Sequence, residues 1–180
     1  MKQFLARWID TPLSFSVLVL LATSSAACDQ PTHNTEFERE VLSLINEQRT
    51  AGVTCGNLGE FPSVPALVMN EKLREAARTH SVWMGRGGVS HKSSGGPIGD
   101  TPDQRMERAG YSGWWALGEN VAAGQTSPSE VVGDWMESER HCANIMNRAF
   151  SEVGIGYAYV KGTYWTYWTQ DFGAARGTGK

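Results

Sequence analysis

Three short segments carry the side chains able to do chemistry. Ser90-His91-Lys92 lies in a Gly/Ser-rich stretch just after a helical pattern. Gly118-Glu119-Asn120-Val121-Ala122 places a carboxylate in a tight turn ahead of small and apolar residues, and Trp135 to His141 ends a helix beside Cys142. Two imidazoles and a carboxylate suit a divalent cation, because His nitrogens and carboxylate oxygens are ordinary ligands of Zn²⁺. The same groups can serve as general acid and base. No close-spaced metal motif such as HExxH is present, and scattered histidines need a fold to bring them together. The plainer reading is a buried hydrogen-bond network in which Glu119 and the histidines shape the domain. Ser138 and His141, three apart on a helix, could be neighbours as a serine-type pair. They have no orienting acid, and no GxSxG elbow activates a serine elsewhere. Catalytic residues are therefore left unassigned.

Two further features flank these segments. His80 falls on the core-facing side of its helix, four residues before Met84, and reads as a buried histidine with one partner; a fourth groove residue is the alternative. Trp114-Trp115 precede Glu119. Packing against the sheet is the plainer reading of the pair; two adjacent Trp are not easily both buried in a loop, and an exposed one could wall a groove, where aromatic faces suit apolar or sugar-like ligands.

The elements that must position these residues are marked by caps. Thr35-x-x-Glu38 is a capping box followed by Phe37, Val41, Leu44 and Ile45, and predicts a helix over about 36–50 that Gly52 ends. Asn70 caps the next helix, with Leu73, Ala76, Ala77, His80 and Met84 along one side and Gly85, Gly87 and Gly88 stopping it. Thr101-Pro102-Asp103-Gln104 and Ser127-Pro128-Ser129-Glu130 repeat one device: hydroxyl N-cap, Pro at the first helical position, and Gln or Glu two residues later. The first opens a short helix to Ala109, the second a helix through Val131, Val132 and Trp135. Val153, Ile155, Tyr157 and Tyr159 then alternate, the mark of a half-buried strand. Lys161-Gly162 makes a turn, and Tyr164 to Phe172 form a second strand. Together they predict a hairpin with one face against the helices, with short strands near 89–92 and 118–122 and a frayed tail over 174–180. The class is α+β, and a three-layer α-β-α sandwich is its natural packing if the sheet is apolar on both sides.

Composition bounds the rest. The chain has 180 residues, 41% of them hydrophobic, which suits one domain and excludes a wholly disordered chain. Sixteen Lys plus Arg against nineteen Asp plus Glu leave no basic excess, so nucleic acid is not an expected partner. Lys2 and Arg7 precede an uncharged run, Leu13 to Ala22, and small residues Thr23 to Ala27; residues 1–27 read as a secretory signal peptide. Ser25-Ala26-Ala27-Cys28 resembles the lipobox of bacterial lipoproteins, in which the cysteine is acylated. Ser25 departs from the usual aliphatic residue, so plain cleavage after Ala26 or Ala27 is the alternative. If Cys28 carries lipid, Cys55 and Cys142 remain and can pair in an oxidising compartment. Residues 28–35 form a polar tether.

His91, the Gly118-Glu119-Asn120-Val121-Ala122 run, Trp135-Met136-x-Ser138-x-x-His141-x-x-Asn144-Ile145, Val153-Gly154-Ile155-Gly156 and Tyr167-Trp168-Thr169-Gln170 together resemble the CAP superfamily, nearest its bacterial SCP-like extracellular branch. The resemblance covers residues 36–173. It implies an α-β-α sandwich with a mainly antiparallel sheet and a groove lined by two His and two Glu. Three of the four match, His91, Glu119 and His141; Ser138 stands at the fourth position, between Glu137 and Glu139. The family includes lipid and sterol binders, metal binders at the histidine pair, toxins and occasional proteases. The expectation is an exported, monomeric cell-envelope protein, periplasmic or extracellular, touching the membrane only through a lipid anchor at Cys28. Its groove of His91, Glu119, His141 and Ser138 would bind a small apolar, lipid or envelope ligand, with Zn²⁺ as a candidate cofactor on His91 and His141. The alternatives are a metal-dependent hydrolase with Glu119 as base, and a purely structural module.

Overall fold

A computed structural model describes residues 32–93 and 101–175. The segment read as a signal peptide, Cys28 and the first part of the expected tether lie outside the described residues. The chain runs through α1 (Thr35–Ala51), β1 (Val53–Thr54), a 3-10 turn (Gly56–Leu58), β2 (Glu60–Phe61), β3 (Val68–Met69) and α2 (Glu71–Gly87). It continues through α3 (Pro102–Arg108), β4 (Trp114–Ala123), α4 (Pro128–Glu137), α5 (Glu139–Ile145), β5 (Glu152–Tyr159) and β6 (Thr166–Ala175).

Asn70 and Ser127 cap α2 and α4 as their side chains predict, and Pro102 and Pro128 open α3 and α4. The cap of α1 differs. Asn34, not Thr35, accepts the backbone N–H groups of Glu36 and Phe37. The Thr35 hydroxyl and Glu38 are instead taken by Arg78, whose guanidinium donates to Thr35 at 3.0 Å and to Glu38 at 2.7 and 2.6 Å. A buried carboxylate gains more from a bidentate guanidinium than from one backbone N–H.

The main sheet has the order β3-β5-β6-β4, antiparallel except for the short parallel pair of β3 and β5. Helix α2 covers one face, and α1, α4 and α5 cover the other, giving three layers. The hairpin of β5 and β6 buries both faces, where the alternation of its residues predicts one. Val153, Ile155 and Tyr157 point into the larger core with Val41, Ile45, Trp135, Ile145, Trp168 and Phe172. Between them, Gly154 and Gly156 receive α2 so closely that an added Cβ would fall 2.0 Å from the Leu73 carbonyl carbon and 2.3 Å from that of Ala77. Glycine carries no apolar signal, so its face reads as open when a helix backbone lies on it.

Three other expectations change. Residues 89–92 make bends, not a strand, and β6 extends to Ala175, two residues into the segment read as a tail. The Trp135 to His141 segment is not one helix: Ser138 is extended (φ −86, ψ 115), so α4 stops before it and α5 starts after it. In the larger core Cys55 and Cys142 form a disulfide, tying the 3-10 turn to α5. Beside them Arg49 is fully buried and donates to the carbonyls of Pro65 (2.8 Å), Asn147 (3.1 Å), Phe150 (3.2 Å) and Ile145. Burial lowers its pKa to about 10, which leaves it charged at neutral pH.

Candidate functional site

Glu119 sits in the middle of β4, directly opposite Asp171 of β6, which in turn faces Gly154 of β5. Alternation along the strands turns Glu119 and Asp171 toward α2, and both are buried. Three cationic or imidazole side chains converge on the Glu119 carboxylate. His91 Nδ1–H donates to one oxygen at 2.8 Å, and Arg105 of α3 pairs with the other. His80 of α2 stands 3.9 Å away.

A second set of bonds holds the segment that bears His91. Arg105 donates to the His91 carbonyl at 3.1 Å and to the Ser93 hydroxyl oxygen at 3.2 Å. Ser93 O–H then donates to His80 Nδ1 at 3.2 Å, while His80 Nε2–H donates to the Ser90 carbonyl at 2.8 Å. The Ser90 carbonyl requires a proton on Nε2, and the Ser93 hydroxyl can serve a neutral imidazole as donor to Nδ1. Burial works in the same direction and pushes the His80 pKa down to about 4. His80 is thus the buried, partnered histidine that its helix position predicts. Residues 90–93 have no regular structure of their own, and α2 and α3 position them.

Charge follows from this geometry. Burial alone would raise the Glu119 pKa, but the His91 hydrogen bond and Arg105 outweigh it and hold the carboxyl below its ordinary value. The same hydrogen bond raises the His91 pKa. His91 nevertheless keeps 54% of its side chain exposed. His141, half-buried on α5, has its pKa lowered by burial and then by the charge of His91. It approaches β4, the strand at the sheet edge, from the opposite face. There Asn120 donates to the His141 carbonyl (3.2 Å) and to Gln170 (3.0 Å), and Asn144 donates to the Glu119 carbonyl (3.2 Å).

Ser138 does not complete the set. Its extended backbone places it between α4 and α5, and among the described residues its hydroxyl makes no hydrogen bond to His141. Nor does Glu139 replace a missing carboxylate, since it accepts from the Asn57 backbone N–H (2.8 Å) and side chain (2.6 Å) at the 3-10 turn. Among the described residues no three His, Cys, Asp or Glu side chains come close enough together to hold a metal ion. Both Glu119 oxygens are engaged, which leaves two imidazoles, fewer than the three or four protein ligands of zinc sites. The residues do not fit a resident zinc. Glu119 orients His91 instead of joining it as a ligand. Trp115 is exposed, as expected of one of the pair, and Trp114 donates to Glu107 at 3.2 Å.

Two members of the cluster, Arg105 and Asp171, are not among the residues that motif and spacing single out. Asp171 is completely buried, and neither carboxylate oxygen has a hydrogen-bond donor. Burial, then the charge of Glu119 opposite, push its pKa well above the ordinary range against the pull of Arg105. Asp171 therefore keeps its proton to higher pH than an ordinary aspartate. One signal could have found it: a lone charge inside the otherwise uncharged run Tyr164 to Phe172.

A three-layer α-β-α domain with a histidine–glutamate pair at its edge strand is the class of fold to which the motifs of the sequence point. The chain belongs to the cysteine-rich secretory protein family, CAP, whose family model matches residues 42–172. It is similar to the uncharacterized protein YkwD of Bacillus subtilis (strain 168), 33% identical over 137 residues that span 76% of this chain and 48% of the relative. Among solved structures it resembles an extracellular protein containing a SCP domain from Bacillus anthracis str. Ames, with TM-score 0.60 and 25% identity over 76% of this chain and 40% of that one. The fold is also that of an outer surface protein from Borrelia burgdorferi, with TM-score 0.65 and 19% identity over 82% of this chain and 99% of that one. The chain therefore spans about half or less of the length of the two Bacillus proteins.

Proposed function

We propose that this is an exported cell-envelope domain that binds a ligand and does not catalyse, using the β4 edge of the sheet, which His91 and His141 approach from either side. Export is supported by the signal-like residues 1–27 and by the extracellular and outer-surface descriptions of its structural relatives. One observation carries the binding reading. Glu119, the residue best placed to be a general base, is buried with both oxygens engaged, while the imidazole it orients stays half in solvent. A base must reach the proton it takes. The disulfide removes Cys55 and Cys142 as nucleophiles. An apolar, lipid or envelope-derived ligand fits imidazole faces that are only partly hydrated.

The buried network of Glu119, Arg105, Ser93 and His80 favours a second reading, in which the cluster serves the fold alone. Ligand retention separates the two. The exported full chain is incubated with a total envelope lipid extract and, separately, with peptidoglycan fragments, then washed and analysed by mass spectrometry. Retained lipid that is lost in His91→Ala and His141→Ala, at melting temperatures within about 2 °C of wild type, supports binding. No retention, with both variants melting lower, supports the scaffold. Release of cleaved fragments would establish a hydrolase and overturn both.

A further inference from the structure

The tether leaves the domain beside an unusual surface. Thr32 is bonded in both directions to Tyr159 at the end of β5, its N–H donating at 3.2 Å and its carbonyl accepting at 2.9 Å. His33 Nδ1–H donates to the Tyr157 carbonyl at 2.8 Å. At the adjoining tip of the β5–β6 hairpin three large aromatic side chains stand in water: Tyr159 (46% exposed), Tyr164 (50%) and Trp165 (46%). The Tyr159 and Trp165 rings lie 5.8 Å apart. Trp165 has φ +65, a left-handed conformation that bulky residues rarely adopt. The hairpin holds it there, with the Val160 N–H donating to the Trp165 carbonyl at 2.8 Å.

The charge at the tip is positive, although the whole chain carries −3. Residues 159–166 contain Lys161 and no acid. The last turns of α2 pack there, Gly85 against Val160, and bring exposed Arg86 alongside. His33 also lines a pocket of about 330 Å³ with Val82, Trp83 and Thr79, and Arg78 and Arg86 share its wall with one acid, Glu75. Exposed Tyr and Trp with Lys and Arg is the side-chain mixture of a membrane–water interface, where the rings sit among headgroups and the cations meet anionic lipid.

We infer that the β5–β6 tip is a membrane-contact surface that lies on an anionic phospholipid bilayer next to the point where the chain is anchored. Cys28 is four residues before Thr32, a span of at most about 14 Å. Acylation at Cys28 would hold the tip within headgroup range, and at such effective concentration a weak patch suffices to fix orientation. Among the described residues no helix is long and apolar enough to cross a membrane, so the contact is a surface one. Glu119, opposite Asp171, lies about 17 Å along the sheet from the tip. This geometry keeps the His91 face near the bilayer and out of it. The orientation rests on the export and acylation reading; the surface chemistry does not.

Two measurements keep those apart. Mass spectrometry of the mature protein from a membrane fraction reads acylation of Cys28 directly. Independently, the mature protein, acylated or not, is mixed with vesicles of equal parts phosphatidylethanolamine and phosphatidylglycerol carrying brominated acyl chains. The expected result is quenching of a tryptophan component that disappears in Trp165→Phe. It is retained in Trp115→Phe, whose indole is at the far end of the sheet. Lys161→Glu should weaken the quenching without moving the melting temperature. Quenching unchanged in both Trp165→Phe and Lys161→Glu overturns the inference. So does quenching as strong in neutral phosphatidylcholine, or vesicle-free dimers that Trp165→Phe abolishes, which would give the surface to a second copy.

Discussion

Among the described residues each face of the sheet buries one guanidinium, and the two are satisfied by opposite means. On the side of α1, α4 and α5, Arg49 donates only to backbone carbonyls. On the α2 side, Arg105 meets the Glu119 carboxylate with Asp171 beside it. Carbonyls do not titrate, so Arg49 is a fixed staple joining the end of α1 to the residues after α5. Carboxylates and imidazoles do titrate, so the α2 side holds groups whose protons depend on one another and reach solvent through His91. One buried charge serves the fold alone, while the other links the fold to the proposed binding face.

Breaking the staple side should have the largest effect. The disulfide closes a separation of 87 residues. Removing it in Cys55→Ala/Cys142→Ala should cost on the order of 4–5 kcal/mol in the chain-entropy picture, read as a shift in denaturant midpoint. The histidine titration of His91, followed by NMR in the folded variant, should move little, because Glu119 holds the ring from the α2 side and only its charge coupling to His141, beside Cys142, crosses the sheet. A large shift would show that the faces are coupled and that the contrast fails.

Removing Arg105 comes next. Arg105→Leu leaves Glu119 buried without its cation and should cost about 3 kcal/mol. Adding Glu119→Gln should recover part of that loss, because the uncompensated charge is gone. Arg49→Leu should find no equivalent rescue, since among the described residues no carboxylate faces Arg49. A failure of Glu119→Gln to rescue would mean that Arg105 acts through packing of α3, not through charge.

How far residues alone reveal this arrangement depends on the range of each interaction. The starts of α2, α3 and α4 are readable because a cap is a matter of four neighbouring residues: Asn70, Thr101 with Pro102, and Ser127 with Pro128. Thr35 misleads because Arg78, forty-three residues away, claims the cap's side chains. Ser138 misleads because helical residue types continue across the break. The fold class and the disulfide pair are legible from the motifs taken together, and so is the trio His91, Glu119 and His141 as candidates. Their grouping is only partly so, since Glu119 binds His91 alone and His141 comes from the other face. Arg105 and Asp171 enter through the docking of α3 and the register of β4 on β6, and neither leaves a local pattern.

The α2 side also places a proton, and pH should expose where. In the folded state His80 is neutral, with a pKa of about 4, while Asp171 holds a proton above its ordinary range. For His80 the unfolded chain binds the proton more tightly, so its contribution to stability grows as pH rises from about 4 to 6.5. For Asp171 the folded chain binds the proton more tightly, so its contribution shrinks as pH rises above the unfolded value of about 3.9. The two slopes oppose each other in the wild type. Asp171→Asn, which does not ionise, removes one slope. Relative to wild type its stability should climb between pH 5 and 6.5. His80→Gln should show the reverse, declining relative to wild type over the same interval. Chemical denaturation at both pH values reads both variants. Parallel profiles for all three proteins would mean that Asp171 is ionised in the fold, and the α2 side would then be as fixed as the side that holds Arg49.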